Sequence, residues 1–532
     1  RFPGISIYFV NNLTERLFSF DRTDDFLFFQ TKFTCPRPFC VTIKITTVLS
    51  GSIVLCRVLS EGVIMRCSSL VKCVKPLTTV SSVLLLSSCL FLTNGFAAPA
   101  RSAAAVPGHP FSIQNKAENY KSSLSLAVTR KLNTELSSMI GGTGERVPGL
   151  AVIVFKDGKE VYRNMMGNRF LSPRNPNWNL PVTSDSRFRV GSISKIFTAA
   201  AVMQLAEAKK LDLDADAGRY LGFTLRNPHH PDTAITPRML LSHTSSIRDY
   251  PYAYIPYRTS AKSFFSTTNC WAKAAEAPGK YFSYSNLNFI LLATMVEKIT
   301  GQRFDTYMNR NVLQPLDIKG SFNPDDFDKT ELQKMGTIYR KSNGQADRYY
   351  AQIDDRPFTF AGSAERRSYR PGTNAGIFSP QGGLRVSPDE LSHMLQMLMN
   401  QGRYNGARVL QPETVKLMAT PIWTYDPSRP NGTIKEDAIE SYGLPFQYFS
   451  GQGSTKGAPD RPDFDLVGHF GEAYGFIGGL LWQPQTQNGF IFLQNGQATP
   501  EKMNRGRYSR NLRWEENFMN TIITNVFPKK NN

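Results

Sequence analysis

Beyond residue 89 the chain has one cysteine. Of seven in 532 residues, Cys35, Cys40, Cys56, Cys67, Cys73 and Cys89 crowd the N-terminal end, and Cys270 stands alone in the remainder. The globular part therefore has no internal disulfide and no cysteine-based metal centre, and a lone thiol of this kind reads as a small hydrophobe. Acidic residues are also scarce, 43 against 62 Lys and Arg, for a net charge of +19. Residues 1–98 hold ten basic and five acidic side chains, which leaves +14 for the rest. A basic exterior suits anionic surroundings such as a cell envelope, nucleic acid or an acidic membrane face. No basic block with interleaved aromatics, zinc-finger spacing or RNA-binding signature accompanies it, so the charge reads as a solvated face and nucleic acid is not an expected partner. Also missing are a Gly-x-Ser-x-Gly elbow, a His-Glu-x-x-His helix and any internal repeat. What remains, 41% hydrophobic and 20% charged, is the composition of a soluble globular protein with room for two or three domains.

The first methionine is Met65. Residues 1–64, rich in Phe and Cys without sustained periodicity, read as upstream or leader sequence. From Met65 an export signal is expected over 65–98. Arg66, Lys72 and Lys75 are followed by the apolar run Pro76–Leu92 and by the small residues Ala97, Ala98, Pro99 and Ala100. Cleavage near Ala97–Ala100 would leave the protein periplasmic or extracellular. A second reading takes Leu86-Ser87-Ser88-Cys89 as a lipoprotein site, with Cys89 lipidated and the N-terminus tethered to a membrane. An uncleaved anchor fits less well, because the run is short and interspersed with Ser and Thr. Residues 99–121 form an Ala/Pro/Ser-rich linker, and a catalytic domain is expected over 122–527.

Within that domain Ser122–Ile140 has apolar residues at helical spacing. Two β-rich runs then flank Lys156-Asp157-Gly158, a hairpin signal. Further helices are expected from Thr236-Pro237, over Phe289–Thr300 closed by Gly301, over Pro388–Gln401 and at the C-terminus around Phe518–Val526. Strands are expected at Leu466–His469, Phe476–Gln483 and Gly489–Gln494. Residues 323–375, without clear period, read as an insertion or a rim. The order implies an α/β (α+β) fold: one antiparallel sheet built from both chain ends, flanked by helices, with a mostly helical insertion over about 200–400.

Ser186–Leu205 holds the first chemical signal. From Ile196 to Leu205 it is uncharged and apolar on all sides, as a buried helix is. A Lys at the front of such a helix is costly unless something uses or pairs the charge. Ser192 lies three residues before Lys195 and shares its face. Two readings stand: a Ser-x-x-Lys nucleophile with its base, or a plain N-cap serine. Tyr284-Ser285-Asn286 offers a proton carrier and an amide on one side of an extended segment, or else merely caps the following helix. His469, in Gly468-His469-Phe470-Gly471, is the histidine whose flanking glycines suggest access. For His243, in Leu241-Ser242-His243-Thr244-Ser245, a structural hydrogen-bonding role is expected.

Taken in order, Ser192-Ile-Ser-Lys195, Tyr284-Ser-Asn286 and His469-Phe-Gly471 resemble the three motifs of the class C β-lactamase-related serine hydrolases, which include penicillin-binding DD-peptidases, D-aminopeptidases and esterases. The flanking segments 235–247, 278–304, 311–322 and 379–402 resemble the family in the same order. The resemblance, over about residues 122–527, implies a β-lactamase/transpeptidase-like fold. It makes Ser192, Lys195, Tyr284 and His469 the catalytic residues. Ser192 forms the acyl-enzyme, neutral Lys195 takes its proton, and burial with the helix N-terminus favours that neutral form. Tyr284 shuttles a proton, Asn286 orients the acyl amide, and the N–H groups of Ser192 and Glu472 face the oxyanion. Phe470, Gly471 and Glu472 complete the substrate-binding set, and no metal or cofactor is implied.

Two departures bear on substrate. His469 stands where many β-lactamases have Lys, and Phe470 where the family usually has a carboxylate-binding Thr. Glu472 adds a negative charge. Both changes favour a small or peptide substrate with an uncharged ester or amide, or an amine-bearing peptide end, over one with an α-carboxylate, for which Arg366, Arg367 or Arg370 in the insertion would be the compensating cations. The alternatives are a D-Ala-D-Ala carboxypeptidase or β-lactamase acting on peptidoglycan-derived peptides, and a non-catalytic envelope peptide-binding protein.

Overall fold

Whether the two chain ends build one sheet is decided by strand register in the computed structural model. The structure describes residues 121–529 apart from 143, 342–347, 434–438 and 499–502, together with the short strands Leu27–Thr31, Ile43–Thr47, Leu55–Arg57 and Arg66–Ser68. The chain divides into two units, 1–97 and 98–532. In the first, Leu27–Thr31 pairs antiparallel with Ile43–Thr47, and Leu55–Arg57 with Arg66–Ser68. The expected export signal, Cys89 and the linker lie outside the described residues, but for Arg66–Ser68 and Lys121. Among the described residues no helix is long and apolar enough to cross a membrane.

In the second unit, helix α1 (Leu126–Ser138) begins where the Ser125 hydroxyl accepts from the Val128 N–H, and it buries Leu132 and Leu136. Strands β1 (Gly149–Lys156) and β2 (Lys159–Phe170) form the expected hairpin. Asp157 and Gly158 both take positive φ, 50° and 75°, as a two-residue turn between twisted strands requires. Helices α2 (Ser194–Glu207), α3 (Asn286–Thr300) and α4 (Pro388–Met399) follow, then strands β3 (Leu466–Ala473), β4 (Phe476–Gln483) and β5 (Asn488–Gln494), and helix α5 (Arg513–Val526).

The sheet runs β3-β4-β5-β1-β2, antiparallel throughout, with short strands extending both edges. The junction of the two chain ends is the β5–β1 ladder, from Gly489 opposite Phe155 to Gln494 opposite Leu150. Strand β1 explains why LAVIVF shows no polar alternation. Leu150, Val152 and Val154 pack with Leu132, Leu136 and Phe518 of α1 and α5, whereas Ala151, Ile153 and Phe155 join a second core with Ile196, Phe197 and Leu291 of α2 and α3. Helices cover both faces, so every position of the strand gains from burial, by about 1.5–3 kcal/mol for a large aliphatic side chain. Helix α2 is enclosed in the same way, and Ser194–Met203 and Leu205 are all buried.

Candidate active site

The chain reaches α2 through one tight 3₁₀ turn, Gly191–Ile193. Gly191 has φ +52°, and a Cβ there would lie 3.3 Å from both the nitrogen and the carbonyl oxygen of Glu472. From the strand side, a Cβ on Gly471 would meet the Val190 carbonyl oxygen at 2.3 Å. These two glycines let the Ser192 turn press against β3, as a site assembled from a turn and a strand edge requires. Ser192 is half-buried and makes no side-chain cap bond to α2, which begins two residues later. The N-cap reading of Ser192 is thereby set aside.

Lys195, on the first turn of α2, is completely buried. Its Nζ lies 2.9 Å from Ser192 Oγ and donates to Asn286 Oδ1 and the Gln381 carbonyl, both at 2.8 Å. The stem runs between rings, with Nζ 4.9 Å from the Tyr284 centroid and 5.4 Å from that of Phe289. Tyr284 Oη donates to Ser192 Oγ at 2.9 Å. One hydroxyl is thus held between an amine and a phenol. The Gln381 segment is fixed by α2 itself, for Thr198 Oγ1 donates to the Pro380 carbonyl and Ser194 Oγ accepts from the Leu384 N–H.

Tyr284 and Asn286 arrive from the far side. Helix α3 begins at Asn286, three residues earlier than the sequence suggests. Ser285 occupies its N-cap position, but the Ser285 hydroxyl turns to Asp249 at 2.8 Å instead of capping the helix. His243 supports the same segment. Its carbonyl accepts from the Ser283 N–H at 2.9 Å, its Nδ1 accepts from the Ser285 N–H at 3.1 Å, and its ring lies 4.3 Å from that of Tyr284. A backbone N–H only donates, so Nδ1 is unprotonated and His243 is the Nε2–H tautomer. Burial holds its pKa well below the usual histidine value.

His469 is not open to substrate. It is 1% exposed, Nδ1 contacts the Phe470 carbonyl, and Nε2 lies 2.9 Å from the Tyr442 hydroxyl. The carbonyl can only accept, so Nδ1 carries the proton and Nε2 accepts from Tyr442. Burial pushes the pKa down to about 3, and the ring is neutral. Its centroid is 6.1 Å from that of Tyr284, and its two nitrogens bond Phe470 and Tyr442, not Ser192. The flanking glycines make room for the protein's own backbone: a Cβ on Gly468 would lie 2.0 Å from the Leu480 carbonyl oxygen.

Phe470 is corrected too. Alternation along β3 sends its ring to the opposite face, 4.7 Å from Phe449 and 5.9 Å from Phe492, in the core beneath α5. Glu472 shares that face and pairs with Arg340 Nη2 at 3.1 Å, so its charge is matched. What these residues bring to the Ser192 turn is backbone. Of the suggested cations, Arg366 is buried against Asp325 at 2.8 Å and 3.0 Å, and Arg367 and Arg370 are exposed. Cys270 is buried, and burial pushes its thiol up to about 12. Among the described residues no three His, Cys, Asp or Glu side chains gather to hold a metal.

The beta-lactamase family model matches residues 136–513, more than half of the chain. Protein flp of Staphylococcus aureus (strain MRSA252) is 24% identical over 176 residues, 32% of this chain and 34% of that protein. Penicillin-binding protein 4 of Amycolatopsis lactamdurans is 31% identical over 193 residues, 34% of this chain and 45% of that protein. The matched part spans less than half the length of either relative. The octameric penicillin-binding protein homologue from Pyrococcus abyssi superposes with a TM-score of 0.51 at 23% identity, over 70% of this chain and 73% of that one. D-amino acid amidase from Ochrobactrum anthropi SV3 superposes with a TM-score of 0.53 at 16% identity, over 76% and 100%. These structural likenesses speak to the fold. The chain belongs to the beta-lactamase family.

Proposed function

We propose that the protein hydrolyses ester or amide bonds through an acyl-enzyme on Ser192. The observation that carries this reading is the position of Ser192 Oγ, 2.9 Å from both Lys195 Nζ and Tyr284 Oη. A neutral amine has two N–H groups and one lone pair. With the N–H groups committed to Asn286 Oδ1 and the Gln381 carbonyl, the lone pair faces Ser192. Ser192 Oγ attacks the substrate carbonyl as its proton passes to Lys195. The oxyanion accepts from the N–H groups of Ser192 and Glu472. Tyr284 passes a proton to the leaving group as its bond to the acyl carbon breaks. Water then attacks the ester by the reverse proton path and frees Ser192.

The preferred substrate is an acyl ester or amide without an α-carboxylate, because β3 presents no hydroxyl where the Phe470 ring has turned into the core. A second reading, carboxypeptidase or β-lactamase activity, is favoured by the Arg340–Glu472 pair, which removes an unmatched negative charge near the site. A fluorophosphonate should label Ser192, and Ser192→Ala should abolish labelling. A wild type that is not labelled would refute the hydrolase and leave a binding protein. Fast turnover of short acyl esters or D-amino acid amides without a lasting penicillin adduct supports the first substrate class, and a stable fluorescent-penicillin adduct the second. The basic, apolar and small-residue pattern over 65–98 supports a location outside the cytoplasm. Mass spectrometry of the mature N-terminus should find cleavage near Ala97–Ala100 or a lipid on Cys89, and an intact segment from Met65 would refute both.

A further inference from the structure

We infer that Asp249 is a positioning residue for the acylation step, acting on Lys195 through the Asn286 amide. The inference rests on the serine hydrolase reading. Asp249 lies on the segment that follows His243, 37 residues before Asn286. Its carboxylate accepts four hydrogen bonds, all from the start of α3. Oδ1 takes the Ser285 hydroxyl at 2.8 Å and the Leu287 N–H at 3.2 Å. Oδ2 takes the Asn286 N–H at 2.9 Å and the Asn286 side-chain Nδ2 at 2.7 Å. Those four donors fill the lone-pair directions of an ionised carboxylate.

Two effects follow. The first is a cap: the Asn286 and Leu287 N–H groups are helix-terminal donors without intrahelical partners, and a carboxylate at that end also meets the favourable pole of the helix dipole. The second bears on chemistry. An amide side chain can present either end, and here both ends are assigned by their partners. Nδ2 must face the carboxylate, which only accepts, so Oδ1 must face Lys195 Nζ, which lies 2.8 Å away. That choice occupies one amine N–H and, with the Gln381 carbonyl on another, turns the lone pair toward Ser192.

The interposed amide also separates two charges. A carboxylate in direct contact with Lys195 would hold it as an ammonium, unable to accept the serine proton. Through Asn286, Asp249 exerts direction without a direct ion pair. Asp249→Asn weakens this, because the new amide keeps one acceptor oxygen where the carboxylate has two and sets an NH2 group against donors at the start of α3, so the helix N-terminus and the Asn286 amide are no longer both held.

The test is a double-mutant cycle on the rate of Ser192 labelling by a fluorophosphonate, with Asp249→Asn and Asn286→Ala made singly and together. Asp249→Asn should slow labelling about 10- to 100-fold, the usual penalty for a displaced reacting group. In the Asn286→Ala background the same substitution should change the rate by less than about threefold, because the amide it orients is gone. A role in stability alone would instead let the two losses multiply, and that result overturns the inference, as does an Asp249→Asn rate within threefold of wild type. Ser387→Ala, which removes the side-chain cap of α4, should lower thermal stability and leave labelling unchanged. If Asp249→Asn does not fold, Asp249→Glu takes its place in the cycle. It keeps the charge, moves the oxygens by a methylene, and should still slow labelling about tenfold. An unlabelled wild type would reject the hydrolase reading itself, whereas a labelled wild type with an indifferent Asp249→Asn rejects only the positioning role.

Discussion

Lys195→Met separates the chemistry of the site from its packing. Methionine fills the space of the apolar stem as far as the Cε position and loses the amine. Two acceptors, Asn286 Oδ1 and the Gln381 carbonyl, lose a donor, at about 1–3 kcal/mol each. Removal of a fully buried amine offsets part of that cost. The net loss of stability should stay below about 3 kcal/mol, and the fold should survive. Acylation should not. A positioned base typically contributes about 10²–10⁴-fold, or about 2.7–5.4 kcal/mol of barrier. The upper part of that range is expected, because His469 and His243 are neutral and hold their lone-pair nitrogens against Tyr442 and Ser285. The assay is the second-order rate of fluorophosphonate labelling, with near-ultraviolet circular dichroism and thermal unfolding on the same samples. A folded Lys195→Met protein that is acylated within tenfold of wild type would show that the proton goes elsewhere.

Three further substitutions probe the strand side. Gly471→Ala places a Cβ 2.3 Å from the Val190 carbonyl oxygen and should push the Ser192 turn away, lowering the labelling rate about 100-fold, and a rate within threefold of wild type would contradict the close approach. Phe470→Thr should cost about 1–3 kcal/mol in urea unfolding and create no penicillin adduct, since the position faces the core beneath α5; an adduct with undiminished stability would place residue 470 in the substrate site. His469→Gln tests the neutral ring. The folded pKa of about 3 lies below the ordinary 6.5, so the stability contributed is present above pH 6.5 and is lost as pH falls toward 3. The wild-type advantage in unfolding free energy over the variant should therefore shrink by about 2 kcal/mol between pH 8 and pH 5, and an unchanged difference would mean that the ring protonates in place.

What the sequence disclosed was local. The Asp157-Gly158 turn, the Thr236-Pro237 helix start and the Gly301 helix end are each set by the residues that form them, and all three stand where expected. The joining of both chain ends in one sheet followed from the order of the elements, a hairpin near the start of the domain and three strands near its end with helices between. The facing of His469 and Phe470 was not foreseen. Neighbours on a strand point to opposite sides, so these two cannot both serve the site, and glycines beside a histidine admit backbone as readily as substrate. Asp249 carries no local signal. Its meaning comes from a contact across 37 residues of sequence, and the Arg248-Asp249-Tyr250 triplet says nothing about the helix whose N-terminus it holds.

The groups nearest the Ser192 hydroxyl act as dipoles. Lys195 meets two carbonyl oxygens, His243 and His469 are neutral, Glu472 is matched by Arg340, and the charge of Asp249 reaches Lys195 only through an amide. Arg189, three residues before Ser192, donates from Nε to the Gly382 carbonyl, and its guanidinium stands 5.2 Å over the Tyr474 ring. A substrate bearing a fixed negative charge therefore finds no strand hydroxyl at position 470 to receive it. On the proposed mechanism, the negative charge that develops on a carbonyl oxygen during attack would meet backbone N–H groups, held in place by the approach of Gly191 and Gly471. Dipoles fixed before the reaction need no reorganisation when that charge appears, so they stabilise the transition state more than the neutral ground state. On the proposed reading, an arrangement of this kind would favour neutral acyl groups over charged ones.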